Sequence, residues 1–295
     1  MDNKELVAII ILNYNKKDDI IECLESIFKM DYKYFEVIVV DNGSHDGSVD
    51  AIKNKYPDVH LIESIKNLGA SGGRNLGIKY ANEKFNYKFI LFLDNDITIM
   101  RNTLSEMVNS FNLKENIGIV TPKCYQMNLP GTIVYAGGMS VNFFTGNITN
   151  IGGGKKDEGQ FDQSKFIFAC GGLCLVSKNV MDKIEKFDET FNPYGWEDVD
   201  LSIRARKFGF KIFYNSRAVV YHKGGKKGRG TISEYEFSKV KNYFYLIRKH
   251  ANIFQLFTIG FFLPFRGLVI IIKELFAGDV KTLFAQFRGI LSLFK

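Results

Sequence analysis

FILFLDND, residues 89–96, is an unbroken apolar run that ends abruptly in acid. A run without polar alternation suits a strand buried on both faces, and such strands belong to parallel sheets covered by helices. VAIIIL (7–12) and FEVIVVDNG (35–43) read the same way, and VHLIES (59–64) supplies another strand. Between them, Ile20, Leu24, Ile27 and Phe28 recur at helical spacing, a short helix follows Ser48, and residues 71–82 form a third helix. Strand and helix alternate throughout, which predicts a doubly wound, mostly parallel α/β sheet flanked by helices. Polar residues gather just past the strand ends, at Asn13–Asn15, Asp41–Ser44, Asn67–Gly69 and Asp94–Asp96. Open α/β sheets bind ligands outside the carboxyl ends of their strands, so these loops should face one site.

Further along, IGIVTPKCY reads as a strand and 145–160 as a Gly-rich loop or hairpin. FIFACGGLCLVS (166–177) reads as one strong strand, followed by a helix near 178–186. WEDVDLSIRARKFG (196–209) is an amphipathic helix with Leu201 and Ala205 inward and Gly209 as its stop. KIFYNSRAVVYH (211–222) supplies two short strands, and GGKKGRG (224–230) a flexible basic loop.

Composition narrows the class. With 295 residues, 46% hydrophobic and 24% charged, the chain buries enough surface to need no disulfide or zinc staple. Disorder, collagen-like repeats and small secreted scaffolds are excluded. Cys23, Cys124, Cys170 and Cys174 are too scattered for a disulfide framework and read as buried thiols in a reducing compartment. The acidic start, MDNKELVAIIILNYN, lacks a basic n-region, so it reads as a strand and places the catalytic part in the cytoplasm.

The net charge of +7 is uneven: residues 223–295 carry 13 Lys and Arg against 4 Asp and Glu. This basic quarter is also the most apolar, a combination that favours an anionic membrane surface over nucleic acid. IFQLFTIGFFLPFRGLVIII (253–272) approaches the length of a membrane span, but Pro264 and Arg266 interrupt it. An Arg near mid-span costs ~2.5–3.5 kcal/mol on insertion scales, which disfavours a span. After Lys273, apolar residues from Leu275 to Phe294 recur at helical spacing with basic residues between. The expected tail, 231–295, is a set of amphipathic helices lying on the cytoplasmic face of a membrane; packing on the body or in a homo-oligomer is the alternative.

The strand-end residues carry the chemistry. Asp94 and Asp96 could share Mg2+ or Mn2+, since hard cations take one or two carboxylates beside phosphate oxygens; a solvated turn is the alternative. Asp41 could accept from a nucleotide base or simply close an Asx turn with Asn42 and Gly43. NLGASGGRNLGI (67–78) sets glycines at a helix entrance, where backbone N–H groups can approach an anion and Arg74 can aim its charge at the same mouth. Three acids open the helix at Glu197, either complementing its dipole or holding a carboxylate that takes a proton from a hydroxyl. His222, at the end of the last strand, is either structural or completes a metal shell.

These segments, together with FLDND, WEDVDL and VVYHKGG, resemble the family 2 glycosyltransferases of the GT-A fold, nearest their rhamnosyltransferase-like and galactofuranosyltransferase-like branch. The motifs run in family order over about residues 5–225. The resemblance implies a GT-A catalytic domain over 1–230, with a nucleotide-sugar half to about 100 and an acceptor half beyond it. It also implies an inverting transfer from a UDP- or dTDP-sugar to a glycan or lipid-linked acceptor. By the same resemblance, Asn13, Asp41, Asn67, Arg74 and Asp94 border the nucleotide, and Asp94, Asp96 and His222 hold the cation. Asp198 is the general base, and Gly171, Gly172, Trp196 and Glu197 border the acceptor. Segment 125–165 lies outside the family pattern. A sugar nucleotidyltransferase would show a Gly-rich loop after the first strand, which NYNKKDD lacks, and a non-catalytic scaffold would be expected to have lost one of these acids.

Overall fold

Val7 through Ile11 are fully buried, so the first strand, β1 (Val7–Asn13), has no face to offer water and sits inside the sheet. The computed structural model describes residues 5–113, 116–224, 232–276 and 278–292; the basic loop expected at 224–230 lies, beyond Gly224, outside them. β2 (Phe35–Asp41), β3 (His60–Glu63) and β4 (Phe89–Asp94) join β1 in the all-parallel order β3–β2–β1–β4. Alternate side chains go to opposite layers, as strand geometry requires. Ile9 and Ile11 pack toward α1 (Lys17–Phe28) and α2 (Ser48–Lys55), while Ala8 and Ile10 pack toward α3 (Gly69–Lys84). α3 approaches the sheet so closely that a Cβ at Gly77 would stand 2.6 Å from Ile10 Cγ2.

β5 (Ile97–Ile99) follows the acidic turn, and α4 (Thr103–Ser110) leads to β6 (Ile117–Gln126). β7 (Ile133–Ala136) returns along β6, and the hairpin of β8 (Gly138–Asn142) and β9 (Asn147–Asn150) leaves the main sheet. The stretch expected as one strand over 166–177 is three: β10 (Lys165–Ile167), β11 (Ala169–Cys170) and β12 (Cys174–Ser177). Each piece takes a different partner. β11 joins the hairpin sheet, and β12 runs antiparallel between β4 and β6. An apolar run looks the same whether or not its chain changes sheets, and Gly171–Gly172 is where this one changes.

α5 (Lys178–Ile184) and α6 (Glu197–Lys207) follow, and α6 ends as expected at Gly209, whose φ is +85°. The two strands expected over 211–222 are one, β13 (Lys211–His222), with a register shift between Asn215 and Val219. The main sheet runs β10–β13–β6–β12–β4–β1–β2–β3, with β5 on β13 and β7 on β6. All four cysteines are buried and free.

α7 (Ile232–His250) is pinned to the body at both its middle and its end. Asn242 Nδ2 donates to the carbonyls of Phe191 (2.6 Å) and Tyr194 (2.9 Å). Lys249 Nζ reaches Asp188 and buried Asp200, both at 2.7 Å, and His250 Nε2 lies 2.7 Å from Asp200. α8 (Ile253–Phe276) and α9 (Val280–Leu291) complete the described tail, with Thr282, Ala285 and Gly289 of α9 buried.

Candidate active site

The carboxyl ends of β1, β2 and β4 open onto a cleft of two adjoining cavities, about 480 and about 850 Å³, which share Ala70, Asp94 and Tyr194. Asn13, Asn67, Asp94 and Asp96 line the smaller; Gly171, Gly172, Trp196, Glu197, Asp198 and His222 line the larger. Residues spread over more than two hundred positions therefore meet on one concave surface.

The acidic turn is held by a buried relay. Asn95 Nδ2 donates to Asn13 Oδ1 at 2.7 Å, and Asn13 Nδ2 donates to Asp41 Oδ2 at 2.8 Å. Asp41 Oδ1 accepts from the backbone N–H of Ser44 at 2.8 Å, so both its oxygens are engaged within the protein. The Asx-turn geometry anticipated at Asp41 is thus present, and its neighbour Asn42 is the residue that lines the cavity.

β5 explains how a distant histidine reaches this turn. Its pairing with β13 sets His222 opposite Ile97, and the N–H of Lys223 donates to the carbonyl of Asp96 at 2.9 Å. His222 Nε2 consequently lies 3.2 Å from Asp96 Oδ1, while Lys16 Nζ takes Asp96 Oδ2 at 2.8 Å. Burial acts to raise the Asp96 pKa. The hydrogen bond and charge of His222, followed by those of Lys16, outweigh it and hold the carboxyl well below the usual range.

Asp94 faces a different cation. Arg74, buried in α3, spans Asp94 Oδ1 (3.1 Å) and Glu197 Oε1 (2.9 Å), tying the acidic turn to the start of α6. Desolvation acts against the guanidinium charge, but Asp94 and Glu197 outweigh it and keep Arg74 firmly protonated. Its charge is spent inside this bridge. The α3 entrance likewise offers little to an anion, because protein atoms already accept its first N–H groups. Asn67 Oδ1 takes Gly69 (2.8 Å), the Pro193 carbonyl takes Ala70 (2.7 Å), and Asn192 Oδ1 takes Ser71 (3.1 Å).

Across the cleft, Trp196 adopts a left-handed φ of 73°, an uncommon conformation for a bulky residue and one that marks a constrained loop. Its indole N–H donates to the Lys239 carbonyl on α7 at 2.8 Å. The next residue, Glu197, accepts from the Gly195 N–H (2.7 Å) as well as from Arg74. Asp198 accepts the Val199 N–H at 2.8 Å, and among the described residues no Lys, Arg or His forms an ion pair with it. Burial pushes its pKa up to about 7; the Glu197 charge adds to the rise and the Arg74 charge opposes it. A carboxylate titrating there is suited to general-base work.

Among the described residues, no three His, Cys, Asp or Glu side chains form a cluster fit to enclose a metal. Asp96 and His222 nonetheless fit an open site. Their 3.2 Å separation approaches that of neighbouring donors in an octahedron with ~2.1 Å bonds, where magnesium commonly keeps several positions for water and phosphate. Asp94 gives its Oδ1 to Arg74.

Sequence reasoning passed over Lys16 and Asn95, and it placed α7 in the membrane-docking tail, whereas α7 packs on the body and contributes Phe237 and Ser238 to the smaller cavity and Lys239 to the larger. The position of Lys16 just past the first strand end was the available signal for it; nothing local marks α7 as a cleft wall.

The sequence profile described as glycosyl transferase family 2 matches residues 8–185. The chain belongs to that family. Asp198 and His222 lie beyond the matched span. Over 207 residues the chain is 27% identical to the low-salt glycan biosynthesis hexosyltransferase Agl10 of Haloferax volcanii, covering 70% of this chain and 63% of the relative. Over 95 residues it is 43% identical to an Escherichia coli UDP-Glc:alpha-D-GlcNAc-diphosphoundecaprenol beta-1,3-glucosyltransferase, covering 31% of this chain and 36% of that one. The chain thus spans less than two thirds of either relative. Among solved structures, the mannosyltransferase PcManGT from Pyrobaculum calidifontis, in complex with GDP-Man and Mn2+, superposes with a TM-score of 0.58 at 15% identity, over 96% of this chain and 84% of that one. GalNAc-T7 with UDP, GalNAc and Mn2+ gives 0.65, also at 15% identity, over 84% and 48%. The fold of this family 2 chain is GT-A.

Proposed function

We propose that this family 2 chain is an inverting glycosyltransferase that moves a hexosyl group from a UDP- or dTDP-sugar to a glycan or lipid-linked acceptor. One observation carries the reading: Asp198, its pKa raised to about 7, lines the larger cavity while Asp96 lines the adjoining smaller one. The donor diphosphate occupies the smaller cavity, bordered by Asn13, Asn42, Asn67 and Asp94. The acceptor hydroxyl enters the larger, over Gly171 and Gly172 and beside Trp196. Asp198 takes the hydroxyl proton as the oxygen bonds to the anomeric carbon, and the bond from that carbon to the diphosphate oxygen breaks with its electron pair on the diphosphate. Asp96 and His222 would hold a Mg2+ or Mn2+ ion, which when bound neutralises charge on the departing diphosphate. Glu197 and Arg74 fix the start of α6 and hence the position of Asp198.

A lipid-linked acceptor agrees with the tail. Arg266, in the middle of α8, donates to the carbonyl of Gly146 at 2.5 Å in the β8–β9 turn, and Tyr243 of α7 donates to the same carbonyl at 2.6 Å. Met139, Ile148 and Thr149 of that hairpin line the larger cavity. The arginine that disfavours a span thus faces protein, while Phe257, Phe261 and Phe265 stand more than half exposed. α8 is the one helix among the described residues long and apolar enough to cross a membrane. We read it as lying in the interface plane, on the cytoplasmic face, with the acceptor cleft beside it.

Asp198→Asn tests the mechanism. General-base help is typically worth 10²–10⁴-fold, so turnover should fall by about that factor while affinity for the nucleoside diphosphate is kept. Transfer at the parental rate would refute Asp198 as the base.

A further inference from the structure

Both oxygens of Asp96 are occupied within the protein, one by His222 and the other by Lys16. His222 can serve beside a cation as a second donor, but an ammonium cannot. Lys16 therefore stands where a cation bound by Asp96 would neutralise the same charge. The pair is built in: the Lys16 side chain is 10% exposed and that of Asp96 4%, so the ammonium is held against the carboxylate with little water between. From the start of α1 the Lys16 side chain reaches to a turn 80 residues away. Its other acidic neighbour, Asp19 at 3.8 Å, is already bonded to Lys223 Nζ at 2.8 Å. An ammonium released from Asp96 lines the same cavity as Asn13, Asn42 and Asn67, the cavity proposed for the donor diphosphate.

We propose that Lys16 is an internal counter-cation of Asp96 that gives way to the divalent ion only as a donor diphosphate arrives to receive the ammonium. The inference rests on the reading of Asp96 and His222 as the cation's ligands. It makes cation and diphosphate binding interdependent: the ion alone must displace a buried ammonium, and the diphosphate supplies that ammonium with a new partner.

The test uses the full chain and Mn2+ alone, with free Mn2+ followed by electron paramagnetic resonance. Lys16→Met and Lys16→Gln should each bind Mn2+ about tenfold or more tighter than the parent, a gain of about 1.4 kcal/mol. In metal-free buffer, calorimetry with inorganic diphosphate should show both variants binding about tenfold more weakly than the parent. Unchanged or weaker Mn2+ affinity in both Lys16 variants, or diphosphate affinity equal to the parent's, overturns the proposal. Asp96→Asn separates the two levels. If it abolishes Mn2+ binding while the Lys16 variants leave it unchanged, only the exchange fails. If it binds Mn2+ as the parent does, the ligand assignment and the exchange fall together.

Discussion

The end of the cleft proposed for the donor buries Asp96 and the end proposed for the acceptor buries Asp198, to 4% and 8% exposure. Their acidities nevertheless diverge: Asp96 is held well below the carboxylate range and Asp198 is pushed up to about 7. Desolvation raises both, so burial does not decide the outcome. Partners do. Asp96 has an imidazole and an ammonium on its two oxygens, whereas Asp198 has a backbone N–H, the Glu197 charge beside it and Arg74 acting only at a distance. One end of the cleft keeps a permanent anion for cations, and the other keeps a carboxylate able to gain and lose a proton near neutrality.

Arg74 is the element shared by both ends, and its loss should produce the largest effect. Arg74→Met leaves Glu197 buried without its cation; breaking such a pair typically costs ~3–5 kcal/mol, and the lower figure applies because the Asp94 side chain is 42% exposed. Urea unfolding should therefore show a loss of about 3 kcal/mol. The same variant should move the acidic limb of the pH–rate profile upward, since the Arg74 charge holds the Asp198 pKa down. A limb that stays in place would detach Asp198 from the bridge.

In the parent, the rate should rise with pH through about 7, because the base acts ionised. Below that point each pH unit should cost about tenfold in turnover. Stability has the opposite slope. The folded state binds the Asp198 proton more tightly than the unfolded chain, whose carboxyl titrates near ~4, so this group's contribution falls as pH rises from about 4 to about 7. Asp198→Asn should accordingly gain in Tm relative to the parent over that window and hold the gain above it. Equal Tm values at all pH would show that Asp198 titrates as an ordinary carboxyl.

The donor end was legible in the sequence because its strands are buried on both faces and end in polar residues: β1, β2 and β4 announce themselves and their loops. The acceptor end was not. Nothing in FIFACGGLCLVS says that β11 leaves for the hairpin while β12 returns to the main sheet. The placement of His222 depends on β5, three residues long, pairing with a strand more than a hundred positions later. α7 enters the cleft only through tertiary packing, which a local pattern does not encode.

The tail sharpens the contrast, since α8 holds the β8–β9 hairpin that lines the acceptor end. Phe261 and Phe265 are 63% and 61% exposed, and burying a Phe is worth ~1.5–3 kcal/mol at most. With part of each ring already covered, Phe261→Ser with Phe265→Ser should weaken sedimentation with anionic vesicles by about tenfold, while transfer to a soluble acceptor analogue is kept. Undiminished sedimentation would remove the membrane from the account of this face.

The smallest effect is expected where the two ends touch, at Gly172. A Cβ there would lie 3.7 Å from Asp94 Oδ2, an ordinary contact, so Gly172→Ala should change the free energy of unfolding by no more than about 0.5 kcal/mol, as harmless substitutions do. Gly171 is the sterner neighbour: its Cβ would meet the Tyr135 ring at 3.0 Å, and displacing that buried ring should cost about 1 kcal/mol. The pair thus separates floor from frame. If Gly172 forms the acceptor floor, its methyl group should raise the acceptor KM a few-fold with Mn2+ affinity unchanged. A loss of Mn2+ affinity instead would mean that Gly172 supports the Asp94 turn, and that the boundary between the two ends lies further into the larger cavity.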